Sequence, residues 1–287
     1  MAKVFSKTGK PALNRPRPAP PPPAASGEML ICGLIPLRAA LTLRPGDARK
    51  IFLADTRTPS PVILEILALA EKNSLPVERT GRQTLDRLCP GNHQGAAAFF
   101  RRPAFPAWSE FLQNLPPVGP GLILALDHVE DPHNLGALWR SAAAFGALAL
   151  VVPQDRTAPL TPAVLKAAAG GAEAVPRIQT VTLARALEEL KKKDFWVVGA
   201  EAGEGAGVGS FRFPARTVLL LGSEGRGLGR LIKEKADFLV SIPLAPGPVD
   251  SLNVSVAGAI LLQACHSQIL APLSGPPPAG PPDQPAA

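Results

Sequence analysis

The stretch LILALDHVEDPHNLGALWRSAAAFGALALVV, residues 122–152, decides the fold class. It opens with an apolar run, LILALD (122–127), and closes with another, ALALVV (147–152), neither of which alternates polar with apolar residues. Strands that are apolar on both faces belong to a sheet covered on both sides. Between them Leu135, Leu138, Trp139, Ala142 and Phe145 fall at offsets 0, 3, 4, 7 and 10, the stripe of an amphipathic helix. Strand, helix and strand in this order make a crossover unit of a parallel sheet.

The pattern continues outward. Further apolar runs, FWVVGA (195–200), TVLLLG (217–222) and FLVSI (238–242), alternate with helical segments, so residues 121–270 read as one parallel α/β unit. Upstream, residues 28–102 read as a smaller α/β module. It runs from a helix-like MLICGLIPLRAAL (29–41) through strand IFLAD (51–55), helix PVILEILALAEKN (61–73), strand PVERT (76–80) and short helix RQTLDRL (82–88) to strand AAAFF (96–100). Pro103, Pro106, Pro116, Pro117 and Pro120 mark a linker over 103–120, with one helical turn around Trp108 to Leu112. Residues 1–27 hold seven prolines, five cations and no acid, a composition that cannot bury enough apolar surface to order itself, and 271–287 form a second Pro-rich tail of the same kind.

The chain's 287 residues predict about two domains at ~150 residues each. Apolar residues make up 46%, yet no run approaches the ~18 consecutive apolar residues of a membrane span. The three cysteines, Cys32, Cys89 and Cys265, are odd in number, far apart and in no CxxC pair, which speaks against a disulfide scaffold and a cysteine zinc site and for a reducing compartment. The four histidines show no H-x-x-x-H spacing, so no metal site is expected. The net charge of +7 comes mostly from Lys3, Lys7, Lys10, Arg15 and Arg17 on the arm, which can hold RNA loosely, while the folded part is close to neutral.

Three segments begin where a strand ends, the place where open α/β sheets bind ligands. In the first, residues 126–146, Asn134 reads as an N-cap, and Arg140 lies opposite the apolar stripe, either solvated or facing a site. The second, LLLGSEGRGLG (219–229), surrounds Ser223 and Glu224 with glycines that let backbone approach a ligand closely. It lacks the Gly-Lys-Ser/Thr ending of a P-loop, the G-x-S-x-G of a nucleophile elbow and the spacing of a dinucleotide fingerprint. The GEGAGVG at 203–209 lacks that spacing too and reads as a flexible loop. In the third, SIPLAPGPVDSLNVSVAGAILLQAC (241–265), a Pro-rich loop enters a small-residue helix through Ser251 and Asn253, either of which can simply cap it.

Taken in this order, N134-L-G-A-L-W-R140, L221-G-S-E224-G-R-G-L and S251-L-N253-V-S resemble the three motifs of the SpoU, or TrmH-like, branch of the SPOUT RNA 2′-O-methyltransferases. I31-C-G-L-I-P-L-R-A-A-L, R82-Q-T-L-D and H93-Q-G-A resemble the N-terminal domain of the bacterial 23S ribosomal RNA guanosine-2′-O-methyltransferase subgroup, an L30e-like substrate-binding module. The sequence departs from the pattern at Trp139, where smaller or other apolar residues are usual, and in the Pro-rich A245-P-G-P-V-D250.

The resemblance implies a trefoil-knotted SPOUT catalytic domain after the L30e-like domain, a cytoplasmic homodimer with active sites near the subunit interface, and S-adenosylmethionine bound in the knot. By position the cofactor falls on Gly222, Ile242 and Leu252, with Leu221, Ser223 and Pro243 adjoining. Arg140 falls at the acceptor ribose, with Asn134, Glu224, Ser251 and Asn253 orienting it, the substrate and the cofactor. The implied activity is ribose 2′-O-methylation of a guanosine in large-subunit rRNA. Alternatives are the same reaction on tRNA, a non-catalytic RNA-binding assembly protein of the same fold, and a nucleotide-binding α/β enzyme unrelated to RNA.

Overall fold

A computed structural model of the chain describes residues 27–223 and 225–270. The basic arm (but for Gly27), the Pro-rich tail and Glu224 lie outside the described residues.

The first part builds a four-stranded sheet in the order β1-β4-β2-β3 from β1 (Glu28–Cys32), β2 (Ala48–Ala54), β3 (Val77–Thr80) and β4 (Ala96–Arg101). β1 and β2 flank β4 antiparallel, and β3 joins β2 in parallel. Helices α1 (Leu34–Leu43), α2 (Pro61–Lys72) and α3 (Arg82–Leu88) intervene. Residues 29–41, expected to be helical throughout, split in two. Glu28–Cys32 pairs along β4, and Gly33, at φ 104°, turns the chain into α1, so cross-strand pairing overrides the helical periodicity.

After α4 (Trp108–Asn114) comes a seven-stranded sheet. Its elements in chain order are β5 (Gly121–Leu126), α5 (Pro132–Ala144), β6 (Ala149–Pro153), α6 (Pro162–Ala168), α7 (Gly171–Ala174), β7 (Arg177–Thr180), α8 (Leu183–Lys191), β8 (Trp196–Ala200), β9 (Ala206–Gly207), β10 (Arg216–Leu221), α9 (Arg230–Lys233), β11 (Phe238–Ser241) and α10 (Val254–Cys265). The strand order is β7-β6-β5-β10-β8-β11-β9, and every pairing is parallel. Side chains alternate between two buried faces. Leu122, Leu124, Leu219 and Leu221 meet Leu138 and Leu261 of α5 and α10, while Ile123, Val218 and Leu220 meet Leu187 and Leu190 of α8. Trp139 is fully buried, with Nε1 donating to the Val175 carbonyl at 2.9 Å.

Besides β1, two strands escape the sequence reading. β7 carries the polar sequence RIQT, and β9 lies inside the GEGAGVG stretch expected to be a loop. There Gly205, at φ 76°, brings the backbone so close to β11 that a Cβ would sit 2.1 Å from the Leu239 carbonyl oxygen. A second correction concerns the cysteines: Cys32 at the end of β1 and Cys89 after α3 are disulfide-bonded, with a Cα–Cα distance of 6.1 Å, and Cys265 is free and buried, so the cysteines do not argue for a reducing compartment as expected. A separation of 57 residues gave no local sign of this, because the sheet rather than the spacing brings the two together.

The small sheet module docks on the larger one through α1. Gly170, at φ 97°, leaves room only for Ala39, since a Cβ on it would lie 2.6 Å from the Ala39 Cβ. Beside it Arg44 forms a two-pronged ion pair with Glu173 of α7, donates to the Arg101 carbonyl at 2.7 Å and lies over the Phe100 ring. Among the described residues no helix is long and apolar enough to cross a membrane.

Candidate active site

The strands β5, β8, β10 and β11 point their C-terminal ends at one region, and the three singled-out segments leave from there. After β5 the chain turns at Asp127 and His128, and α5 starts earlier than the sequence suggested. Asp131 is the N-cap, accepting from the amides of His133 (2.6 Å) and Asn134 (3.0 Å), with Pro132 in the first turn. This corrects the reading of Asn134 as the cap and frees its side chain for another task. At the other end of the site Asn253 is the N-cap of α10, its Oδ1 accepting from the Ser255 amide at 2.9 Å. Its Nδ2 donates to Asn134 Oδ1 at 3.0 Å, so residues 119 positions apart meet.

The glycine segment after β10 closes on itself. Ser223 and Gly227 exchange backbone hydrogen bonds of 3.0 and 3.1 Å, and Gly225 and Gly227 take φ of 75° and 63°. Gly222 runs against the returning strand of this loop, where a Cβ would stand 2.1 Å from the Gly227 carbonyl carbon. The loop is held from outside by two carboxylates. Glu201, directly after β8, accepts from the Leu228 amide at 3.3 Å, and Asp127, 2% exposed, accepts from the Gly229 amide at 3.0 Å.

Two cavities open here and share Ser223, Arg226, Gly227 and Val254 as a common wall. One, of about 530 Å³, is lined by Leu221, Gly222, Ile242, Ser251, Leu252 and Asn253 among others, with Glu201 on its rim of polar groups. The other, of about 640 Å³, is lined by Asp127, His128, Glu130, Asn134 and Arg156. Both volumes suit ligands of cofactor or nucleotide size. The structure thus gathers Asn134, Ser251 and Asn253 with Leu221, Gly222, Ser223, Ile242 and Leu252. Arg140 stands exposed near the C-terminal end of α5 and lines neither cavity, nor does Pro243; Glu224 lies outside the described residues. The sequence reading passed over Glu201, Asp127, His128 and Arg156. Each follows the end of a strand, and that position was the available signal. Among the described residues no group of three His, Cys, Asp or Glu could hold a metal ion.

Residues 121–263 match the SpoU rRNA Methylase family, and residues 30–106 match a family described as RNA 2′-O ribose methyltransferase substrate binding. A 23S rRNA (guanosine-2′-O-)-methyltransferase RlmB from Pseudomonas syringae pv. tomato is 42% identical over 237 residues, covering 81% of this chain and 92% of the relative. The chain belongs to the SpoU rRNA methylase family. The crystal structure of an RNA 2′-O ribose methyltransferase superposes with a TM-score of 0.70 at 25% identity, covering 84% of this chain and 89% of the other. The SpoU methyltransferase AviRb from Streptomyces viridochromogenes, solved in complex with the cofactor AdoMet, shares the fold with a TM-score of 0.68 at 24% identity, covering 85% and 91%.

Proposed function

We propose that this member of the SpoU family is a cytoplasmic ribose 2′-O-methyltransferase that uses S-adenosylmethionine to methylate a guanosine of 23S rRNA. The observation that carries the reading is the pair of adjoining cavities at the strand ends, joined by the Asn253–Asn134 hydrogen bond. A transferase needs one chamber for the donor and one for the acceptor with a thin wall between them, and the shared residues 223, 226, 227 and 254 form such a wall. The RlmB relative is a 23S rRNA (guanosine-2′-O-)-methyltransferase, and AviRb was solved with AdoMet as its cofactor, which supports the reaction, its RNA and its methyl donor.

The smaller cavity fits the cofactor. Gly222 and the turn at Gly225 and Gly227 bring bare backbone to its wall, Ile242 and Leu252 supply apolar surface for a purine, and Glu201 and Ser251 supply polar groups for a ribose or an amino acid moiety. Bound there, S-adenosylmethionine supplies an electrophilic methyl group. The chain's own task is to make a ribose hydroxyl reactive. Asn134 and Asn253 fix the geometry between the chambers, and Arg140 stabilises the alkoxide that develops at the 2′-oxygen. A guanidinium suits this role as a permanent cation rather than as a base.

Arg140 reaches this chemistry in a homodimer. The outer side of α10 carries Val256 and Ile260, 48% and 38% exposed, and the loop before it carries Val249 at 59%. A second copy covering this apolar face brings the exposed α5 arginine to a shared site. The passage of α10 back across β10 supports a trefoil knot in which the chain threads past the glycine loop; Gly258 runs so close there that a Cβ would lie 2.7 Å from Leu221 Cδ1 and 2.3 Å from Leu138 Cδ2. Residues 28–102 act as an L30e-like module that binds the RNA, residues 121–270 as the catalytic domain and 103–120 as the linker. Transfer of labelled methyl from S-adenosylmethionine to an unmodified 23S rRNA transcript, lost in Arg140→Ala and mapped to a guanosine 2′-oxygen, is the expected result. No transfer to rRNA, or transfer that survives Arg140→Ala at full rate, overturns it.

A further inference from the structure

The larger cavity holds an arrangement that the proposed reaction leaves without a task. His128 and Arg156 are both non-glycine residues with left-handed backbone, at φ 61° and 54°. Such conformations are uncommon in L residues and persist where the surroundings enforce them, often at ligand sites. Here the two residues touch each other: Arg156 Nη1 lies 3.2 Å from His128 Nε2. An arginine only donates, so Nε2 accepts, and the ring proton sits on Nδ1, which is 2.6 Å from Asp127 Oδ1. Asp127 is in turn fixed by the Gly229 amide on its other oxygen. The result is a chain of buried carboxylate, imidazole and guanidinium that ends at the cavity.

The loops carrying this chain are laced together. The Ala158 amide donates to the Val129 carbonyl at 3.1 Å, and the buried Arg177 donates to the Ala158 carbonyl at 3.3 Å from below. Arg156 has no carboxylate partner among the described residues, although Asp127, Glu130 and Asp131 line the same cavity. Asp127 and Asp131 are committed to the Gly229 amide and to the α5 cap. Arg226, on the wall between the cavities, also has no ion pair among the described residues. A cavity of nucleotide size in which two guanidiniums have no ion-pair partner among the described residues, one of them held by a dedicated clamp, can receive an anion that arrives from outside.

Resting on the proposed reaction, in which this chamber seats the acceptor nucleotide, we infer that Arg156 binds an RNA backbone phosphate flanking it. His128 is a positioning residue that aims Arg156. A guanidinium fixed at one nitrogen keeps donors in a planar fork that suits a phosphate. The phosphate then sets the ribose in register with the cofactor chamber across the shared wall.

The test is binding of an unmodified 23S rRNA transcript by wild type, Arg156→Ala, His128→Gly and His128→Asn across a salt series, with S-adenosylmethionine affinity measured in parallel. Arg156→Ala should weaken RNA binding roughly tenfold, the size of one charge-assisted hydrogen bond. It should also lower the slope of log K against log salt by about 0.7, one phosphate contact on single-stranded RNA, and leave cofactor affinity unchanged. His128→Gly relieves the left-handed backbone but takes a donor from the buried Asp127, so its melt is measured alongside, and with the aim of Arg156 lost it should weaken RNA binding about threefold. His128→Asn, which tolerates the same backbone and offers an acceptor, should restore part of that loss. Wild-type RNA affinity and salt slope in both Arg156→Ala and His128→Gly overturn the inference. If wild type transfers methyl while those two variants bind RNA normally, the clamp alone is wrong. If wild type transfers none while the variants lose affinity, the anion site stands and the reaction does not.

Discussion

The ion pair between Arg44 and Glu173 joins the small module to the larger unit, and its two halves are not equally replaceable. The Glu173 side chain is 4% exposed, and Arg44 is its only ionic partner among the described residues. The Arg44 side chain is 15% exposed and keeps Asp47 at 3.4 Å, the Arg101 carbonyl and the Phe100 ring if Glu173 is removed. Breaking a buried pair from one side costs roughly 3–5 kcal/mol, because the other charge is left without compensation. Arg44→Ala leaves a buried carboxylate alone and belongs at the upper end, about 4–5 kcal/mol. Glu173→Ala leaves a cation with substitutes and belongs at or below about 3 kcal/mol. The double variant Arg44→Met/Glu173→Leu leaves no orphan charge and should lie within about 1–2 kcal/mol of wild type. Urea unfolding of the four proteins reads these differences, and thermal melts should follow at about 2–4 °C per kcal/mol for a chain of this size. Equal losses in the two single variants, or a double variant worse than both, would refute the reasoning, since either result means that packing rather than desolvated charge sets the cost.

Other substitutions separate the site's parts. Gly222→Ala places a methyl against the Gly227 backbone, which no rotamer change can relieve, and should lower S-adenosylmethionine affinity on the order of a hundredfold in a titration; binding within a factor of three of wild type would mean that the glycine loop does not shape the cofactor wall. Asn253→Ala removes both the α10 cap, worth about 1 kcal/mol, and the bond to Asn134. Asn253→Ser keeps a capping oxygen, so it should recover stability in melts while methyl transfer stays low in both variants; recovered transfer in Asn253→Ser would reduce Asn253 to a cap. Thiol labelling followed by mass measurement should find one reactive thiol in protein denatured without reductant and three with it. In the native protein burial pushes the Cys265 thiol well above the usual range, so it should resist alkylation at pH 8, where rapid labelling would contradict its burial.

What could be read from the sequence followed from local pattern. The apolar runs at 122–127, 195–200 and 217–222 became β5, β8 and β10 because strands in the middle of a covered sheet have no polar face to disguise them. β7 was hidden because it lies at the sheet edge, where Arg177 and Gln179 are tolerated, and β9 because two residues set no period. Asn134, Gly222, Leu252 and Asn253, which line the cavities, could be singled out through a family pattern, but their mutual geometry could not. That Asp131 rather than Asn134 caps α5, releasing Asn134 toward Asn253, depends on a contact between residues 119 positions apart. The His128–Arg156 clasp is of the same kind, since neither residue carries a local sign of left-handed backbone.

Helix α5 shows how these distant contacts bear on the chemistry. Its front holds Asn134 at the cavities, while its back allows almost no adjustment. A Cβ on Gly136 would lie 2.4 Å from the Ala167 Cβ, and one on Gly171 of α7 would lie 2.8 Å from the Trp139 carbonyl and 2.9 Å from the Arg140 Cα. The segment that presses on Arg140's backbone is therefore the one that carries Glu173, the partner of Arg44. A close-packed contact without side-chain slack transmits displacement instead of absorbing it. In the reading proposed above, RNA held by the small module would then meet Arg140 and the acceptor chamber at a fixed distance, so the target nucleotide would be selected partly by its separation from the module's binding point.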